Sequence, residues 1–232
     1  MSPHALVVRG GWDGHHPVEA TELFIPFLFA QGYTVRIEES PEIYADAAVM
    51  AGVDLVVQSV TMSEASEDAV AGLRAAVASG TGLAGWHGGI ADSFRASSDY
   101  LQLVGGQFAT HPSKRPELVI GDESDNYLPY VVEITELGRS HEILRGIDDF
   151  ALETEQYWVL HDSLIDVLAT TTHPVQPYHP WHRPIVSPAI WTRDWGNGRI
   201  FVATPGHSVQ VLQDPTVRTI IERGMLWATR TA

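Results

Sequence analysis

Histidine and glutamate side chains beside glycines are the residues of this 232-residue chain best suited to chemistry. The chain has 11 histidines and no cysteine. His15 follows Gly14, His207 follows Gly206, and His87 precedes a pair of glycines. An imidazole can exchange a proton near neutral pH or bind a metal through a ring nitrogen. The absence of cysteine excludes thiolate metal sites, cysteine nucleophiles and disulfides.

His87 lies in the sequence Gly-Trp-His-Gly-Gly, between an apolar run and a predicted helix. Small residues in that context permit a strained strand-to-helix turn, the nucleophile elbow. Ligands of open α/β sheets bind outside the carboxyl ends of the strands. We therefore expect His87 to act as a general base or a metal ligand, with Gly88 leaving space for a ligand. The alternative is a histidine that caps backbone carbonyls at a tight turn.

Other histidines are placed for the same crevice. His15 follows the first predicted strand and His207 follows the last, so both belong to the carboxyl end of the sheet. His111 precedes Pro112 and either contacts substrate or fixes the chain there. If His15, His87 and His207 converge, they can hold a zinc-type divalent metal. The chain has no His-x-His or His-x-x-x-His spacing to support a metal independently, so the sequence signal for a zinc-type metal is weak.

Glu155 is the carboxylate best placed to work with these histidines. A glutamate in a pocket can exchange protons or bind sugar hydroxyls, whereas at a strand edge it would face water. Glu153 shares its face if the segment is extended. Tyr157 is either a core residue or a hydroxyl supporting the site, and we count it among the substrate-binding candidates.

Aromatic residues near these motifs could bind a sugar ring. Trp12 and Trp86 are candidate platforms, because indole faces suit the apolar faces of sugars, although tryptophan is commonly buried. Asp13 either orients His15 or makes an Asx turn. The proline-rich residues 173–188 are expected to form a surface loop, as a lid or an oligomer contact.

Alternating strands and helices are expected to position these residues. The sequence predicts strands and helices in turn through the first half, which implies a parallel sheet. The predicted strands cover residues 5–9, 33–38, 53–57, 83–86, 131–134, 157–160, 167–170, 189–191 and 200–203. The predicted helices cover residues 17–31, interrupted at Pro26, then 63–79 and 214–229. No linker divides the chain, so residues 1–232 are expected to form one domain.

The charge composition limits the classes of molecule that the chain is expected to bind. The formal net charge is −15 and the pI about 5.0, which argues against nucleic acid and anionic membrane surfaces. We find no signal peptide and expect a cytoplasmic protein. The apolar residues 23–30 hint at a homodimer. The acidic residues Asp122, Glu123 and Asp125 are interpreted as a solvated loop.

Six motifs together resemble the trehalose-utilisation (ThuA-like) family. They occupy residues 10–17, 85–89, 105–112, 140–150, 153–157 and 198–207. The resemblance implies a flavodoxin-like α/β fold, similar to class I glutamine amidotransferases, with a mostly parallel sheet and helices on both faces. It favours His15 over His16 as the functional histidine. The chain departs from the family pattern at Thr154, where the family has a carboxylate directly before the residue that matches Glu155.

The resemblance links the chain to carbohydrates more firmly than to a reaction. In the amidotransferases the elbow residue is cysteine, and here it is His87, so we expect no glutaminase activity. Our hypothesis is an enzyme that performs acid–base chemistry, metal-assisted or not, on a sugar or keto-sugar. Isomerisation, hydration and hydrolysis all remain open. The alternative is a non-catalytic sugar-binding or accessory module on the same scaffold.

Overall fold

The computed structural model describes residues 2–112 and 126–231. The predicted acidic loop at 122–125 lies outside them. The described strands are β1 His4–Gly11, β2 Thr34–Glu38, β3 Leu55–Thr61, β4 Gly82–Trp86, β5 Gly106–Thr110, β6 Tyr127–Ile134, β7 Phe150–Glu155, β8 Trp158–His161, β9 Asp166–His173, β10 Ile185–Trp195 and β11 Gly198–Ala203. Nine of them form one sheet, in the order β2-β1-β3-β4-β11-β10-β9-β6-β7, while β5 and β8 form a small antiparallel pair.

The sheet has a parallel half and an antiparallel half. Strands β2, β1, β3, β4 and β11 are parallel neighbours. Strands β11, β10, β9, β6 and β7 continue the sheet with antiparallel pairings. The parallel half brings the carboxyl ends of β1, β3, β4 and β11 to one edge, where the fold rule places ligands.

Helices cover both faces of the sheet. They are α1 Pro17–Glu22, α2 Ile25–Ala30, α3 Ala47–Met50, α4 Glu67–Ala78, α5 Gly88–Ala91, α6 Ser98–Val104, α7 Glu136–Ser140, α8 Val209–Gln213 and α9 Pro215–Ala228. Strand β1 shows why two cores form: Ala5 and Val7 face the core with α1, α2 and α9, whereas Leu6 and Val8 face the core with α4 and α6. This α/β architecture confirms the expected fold class.

Capping residues set the ends of the two longest helices. Asp214 accepts hydrogen bonds from the backbone N–H groups of Thr216 and Val217, so α9 begins where the sequence predicts. Helix α4 begins at Glu67, later than predicted, because the Ser66 hydroxyl caps the N–H of Ala69. In the predicted helix 17–31 the break falls between Glu22 and Ile25, and Pro26 instead occupies the first turn of α2.

The apolar residues 23–30 lie mainly against the core. Phe24 and Leu28 are fully buried, while Phe29 is 58% exposed. The core therefore accounts for most of this apolar surface, and the homodimer stays a prediction.

Three differences from the predicted strands matter for the site. Strand β3 runs to Thr61 because the polar Gln58 and Thr61 are buried within it. Strands β5 and β7 were not predicted, and β7 carries Glu155. The predicted loop 173–188 is shorter, because its two ends extend β9 and β10 and leave residues 174–184 as the connection.

Candidate functional site

Three histidines and one glutamate meet at the carboxyl edge of the parallel strands. One ligand atom from each of His15, His87, Glu155 and His207 lies within 4.8 Å of the others. The histidines come from the segments after β1, β4 and β11, as the strand-end rule expects. Glu155 comes from the end of β7, at the far edge of the sheet. The structure thus brings together the four residues expected to be catalytic.

His87 is held in a strained turn between β4 and α5. Its backbone has φ 50° and ψ −144°, a region that side-chain-bearing residues rarely adopt. Its N–H donates to the carbonyl of Ala203 at 2.6 Å, and its Nδ1 lies 2.9 Å from the carbonyl oxygen of Thr204. A carbonyl only accepts, so Nδ1 carries the proton and Nε2 is left to face the cluster.

Glu155 is the electrostatic centre of the cluster. Its side chain is 8% exposed, and its Oε2 lies 2.8 Å from Nδ1 of His207 and 3.3 Å from Nε2 of His87. The hydroxyl of Tyr157 donates to the same oxygen at 2.8 Å. Burial alone raises the pKa of Glu155, but the hydrogen bonds from His207 and His87, with the charges of the nearby histidines, bring it well below its usual range. Glu155 is therefore a carboxylate at neutral pH.

His15 packs closely over the glycine turn. Its Nδ1 lies 2.9 Å from the hydroxyl oxygen of Thr61, the last residue of β3. A Cβ on Gly88 would lie 2.7 Å from Cε1 of His15, so only glycine lets the ring sit there. Burial, then the neighbouring His87 and His207, lower the pKa of His15 to about 3. His15 is therefore a neutral imidazole at neutral pH.

His207 completes the group. Its ring centroid lies 5.0 Å from that of His15 and 5.2 Å from that of His87. The preceding Gly206 has φ +143°, and a Cβ there would lie 2.9 Å from the indole of Trp86. This glycine lets the chain pass over Trp86 and turn His207 toward Glu155.

His111 and Tyr157 form the side wall. Nε2 of His111 lies 3.6 Å from Oε1 of Glu155, and its ring lies 4.2 Å from that of Tyr157. The Tyr157 ring stacks on Phe108 at 3.5 Å. Tyr157 is thus both a core residue and a hydroxyl that supports the carboxylate. Burial lowers the pKa of His111, and Glu155 partly opposes that effect.

Two expected binding residues have other roles. Trp86 is 2% exposed and packs against Phe24 in the core, so the prediction that it is a sugar platform is wrong. The hydrogen-bond partner at Nδ1 of His15 is Thr61 rather than Asp13, which is exposed. Trp12, in contrast, is 47% exposed and lies edge-on to His15, with 4.8 Å between the centroids.

Neighbouring residues fall outside the cluster or were missed. His16 is exposed and caps α1 in the left-handed region. Glu153 lies two residues before Glu155 but is exposed, so one carboxylate faces the histidines. Thr61 and Thr204, which hold His15 and His87, were not among the candidates. Thr61 could have been found from its place at the carboxyl end of β3. That place becomes visible only when the buried polar residues after residue 57 are counted as part of the strand.

Sequence and structure comparisons place this chain among known proteins. The sequence model of the ThuA family, described as trehalose utilisation, matches residues 4–228. The chain belongs to the ThuA family. No curated protein matches it significantly. Within the described part of the chain, no helix is long and apolar enough to cross a membrane.

Solved structures share the fold of this ThuA protein at low sequence identity. A putative ThuA-like protein from Parabacteroides merdae has a TM-score of 0.73 and 17% identity, covering 100% of this chain and 92% of that one. One from Bacteroides uniformis has a TM-score of 0.72 and 15% identity, with coverage of 98% and 92%. A cytoplasmic protein from Salmonella typhimurium has a TM-score of 0.64 and 12% identity, with coverage of 98% and 100%.

Proposed function

We propose that this ThuA protein is an enzyme that performs acid–base chemistry on a sugar or keto-sugar at the cluster of His15, His87, Glu155 and His207. The observation that carries the proposal is the contact between Nε2 of His87 and Oε2 of Glu155 at 3.3 Å. Because Nδ1 of His87 already holds a proton for Thr204, neutral His87 turns a lone pair toward a carboxylate. Two lone-pair groups in contact repel, so a positive group belongs between them. Nδ1 of His207, 2.8 Å from Oε2 of Glu155 and 3.3 Å from Nε2 of His87, can donate to either, and a proton on Nε2 or a metal ion would bind both.

With a proton on Nε2, the pair is a ready acid–base couple. His87 can donate the proton to substrate and take it back, while Glu155 stabilises the charged imidazole. His207 donates to the same carboxylate oxygen through Nδ1, so it supplies a second transferable proton. His15, whose pKa is lowered to about 3, stays neutral and serves as an acceptor. Isomerisation, hydration and hydrolysis of a sugar all need such a couple.

The residues also fit a zinc-type divalent metal. Three imidazoles and one carboxylate are the nitrogen and oxygen ligands that zinc takes. Nδ1 of His15 and Nδ1 of His87 each contact a threonine oxygen, which leaves Nε2 of each ring to bind a metal. Metal-binding histidines are commonly oriented by such a hydrogen bond at the nitrogen that does not bind the metal. When bound, such an ion would polarise a carbonyl or hydroxyl of the substrate and lower the pKa of bound water.

Carbohydrate is the substrate class supported by the family and by one exposed side chain. The family description is trehalose utilisation. Trp12 offers an exposed indole directly beside His15, which suits stacking on a sugar ring. The name of the Salmonella neighbour supports the cytoplasmic location that we expect.

Elemental analysis and turnover of untagged protein test the proposal together. We expect His87→Ala to lose turnover of sugars and keto-sugars, by about 100-fold or more, while the fold is retained. His182→Ala, an exposed histidine of the β9–β10 connection, is the matched control. Near-stoichiometric zinc, manganese or iron that is lost in His87→Ala would assign the cation as a metal.

Two results would contradict the proposal. If His87→Ala kept the wild-type rate, His87 would not be part of the active site. If sugars bound saturably and no product formed from any of them, with or without added metal, the protein would be a binding module.

A further inference from the structure

A cavity lined by three arginines lies between the end of α9 and the segment that follows α7. Arg145, Arg199 and Arg223 line it together with Trp227, and its volume is about 580 Å³. That volume falls within the roughly 300–1,000 Å³ typical of small-molecule sites. None of the four residues of the histidine cluster lines this cavity. The cavity is therefore separate from the site of the proposed function.

The cavity and the histidine cluster lie at opposite edges of the sheet. Arg199 is the second residue of β11, whereas His207 lies beyond the carboxyl end of that strand. Gly82, the first residue of β4, packs against the carbonyl group of Ala228 at the end of α9. From Arg199 to Ala203 the strand alone spans roughly 13 Å, at about 3.3 Å per residue. A small ligand in the cavity would therefore not contact the histidines.

The three arginines lack the carboxylate partners that most other arginines of this protein have. Within residues 2–112 and 126–231, every arginine outside the cavity except Arg183 forms an ion pair with an aspartate or a glutamate. Arg145, Arg199 and Arg223 form no such pair with a described residue. The formal net charge of the chain is −15, so carboxylates are plentiful. Three unpaired guanidiniums in one cavity therefore point to an anion from outside the chain.

Backbone carbonyl groups orient two of the guanidiniums. Nη1 of Arg223 donates to the carbonyl oxygens of Ile143 at 3.2 Å and Arg145 at 2.9 Å. Nη2 of Arg199 donates to the carbonyl oxygen of Thr229 at 3.0 Å. A carbonyl group carries no net charge, so these hydrogen bonds fix the two side chains without neutralising them. The other nitrogens of each guanidinium can donate to a ligand.

The charge of the cavity favours a dianion. Among its described lining residues, Glu142 is the one carboxylate against three guanidiniums, which leaves an excess of two positive charges. The carboxyl end of α9 lies beside the cavity and opposes this excess by only about half a charge. A phosphate monoester carries a charge of about −1.5 to −2 at neutral pH. Guanidinium groups also match the spacing of phosphate oxygens, since they can donate two parallel hydrogen bonds.

We infer that this cavity binds a phosphate group, either as the free ion or on a small phosphate ester, through Arg145, Arg199 and Arg223. The inference is independent of the proposed function, because the cavity and the histidine cluster share no residue. An extended polyanion such as nucleic acid is disfavoured, since the rest of the protein is strongly acidic.

Titration calorimetry at low salt tests the site with inorganic phosphate and with glycerol 3-phosphate. Glycerol is the uncharged counterpart. We expect at least one of the two anions to bind saturably at millimolar concentration or below, and glycerol not to bind. The affinity should fall as sodium chloride is added, because salt screens the charges. Tighter binding of glycerol 3-phosphate would assign the ligand as an ester, and tighter binding of inorganic phosphate would assign it as the free ion.

Two variants locate the bound anion. Arg223→Gln removes an oriented guanidinium and should weaken phosphate binding about tenfold or more. Arg145→Gln changes an exposed side chain, so the fold should be retained even if Arg223→Gln is unstable, and binding should weaken about threefold or more. Arg183→Gln is the matched control. Arg183 is also exposed and without a carboxylate partner among the described residues, but it lies outside the cavity.

Three results would overturn the inference. The first is that neither anion binds the wild-type protein, and the second is that glycerol binds as tightly as glycerol 3-phosphate. The third is equal phosphate affinity of Arg145→Gln and Arg183→Gln, which would place the bound anion outside this cavity.

Discussion

Nε2 of His87 lies 3.3 Å from Oε2 of Glu155, while Nδ1 of the same ring faces the carbonyl of Thr204 at 2.9 Å. The two contacts together define the state of the ring. The Thr204 carbonyl fixes the tautomer, and in our proposal a cation at Nε2, a proton or a metal ion, balances the carboxylate. The strained backbone of His87 is the local cost of placing the ring between these two oxygens.

Glu155→Gln should disable the cluster without unfolding the protein. The amide is nearly the same size as the carboxylate, but it carries no charge to balance a cation at Nε2 of His87. We expect turnover to fall by about 100-fold or more and any bound metal to be lost, measured by steady-state kinetics and elemental analysis. Glu153→Gln is the control, since Glu153 is exposed two residues earlier on β7. Equal effects of the two variants would remove Glu155 from its proposed role.

Gly88→Ala should displace His15. The added Cβ would lie 2.7 Å from Cε1 of His15 and 2.9 Å from Cγ2 of Thr61, so the ring must move. Overpacking of this kind costs about 1–3 kcal/mol of stability. We expect activity to fall further than stability explains, because His15 leaves the cluster. Both are measured by urea unfolding and by turnover.

Gly52→Ala is the matched control for Gly88→Ala. Its nearest new contact would be the carbonyl oxygen of Val49 at 3.6 Å, an ordinary van der Waals distance. A Gly88→Ala protein with wild-type turnover would show that His15 is dispensable.

The histidines of the cluster could be predicted from the sequence because they follow parallel strands. His15, His87 and His207 come after β1, β4 and β11, and periodicity locates such strands well. Convergence with Glu155 could not be predicted in this way. Its strand, β7, is an antiparallel edge strand, and hydrophobic periodicity does not give the order of antiparallel strands.

Burial on both faces explains the sequence-based errors nearest the site. Every residue of β3 and β4 is buried, so alternation cannot tell which side chains reach a ligand. The sequence therefore suggests Trp86 as a sugar platform, whereas in the structure it faces the core. Burial on both faces also hides Thr61. The polar residues that begin at Gln58 suggest that the strand has ended, although β3 continues to Thr61.

Tyr157→Phe should weaken the hold on Glu155 more than it disturbs packing. The ring can keep its stack on Phe108, while Oε2 of Glu155 loses a hydrogen bond of 2.8 Å. Hydrogen bonds to charged groups contribute about 1.5–3 kcal/mol, and outer contacts of metal ligands affect affinity by about 10–100-fold. We expect a loss in the first range for the unfolding free energy and, if the cluster binds a metal, a loss in the second range for metal affinity. Tyr178→Phe, on a tyrosine that is 44% exposed, should change neither. If the free energy of unfolding were unchanged in Tyr157→Phe, the hydrogen bond from Tyr157 to Glu155 would not stabilise the fold.

His173→Asn should reduce the acid sensitivity of the fold. His173 is 7% exposed, and burial, followed by the nearby His179, lowers its pKa to about 4. Its Nδ1–H donates to Oε1 of Gln156 at 3.1 Å, and an asparagine amide can retain a donor there. The unfolded chain takes up a proton near pH 6.5 that the folded chain refuses until about pH 4. Stability from this group is therefore present above pH 6.5 and is lost as the pH falls toward 4. The loss from one proton is at most about 1.4 kcal/mol per pH unit.

Urea unfolding at pH 7 and pH 5 tests this expectation. The free energy of unfolding should decrease less between these two pH values in His173→Asn than in wild type, with the exposed His182→Asn as control. An unchanged decrease in His173→Asn would mean that His173 is not the group responsible.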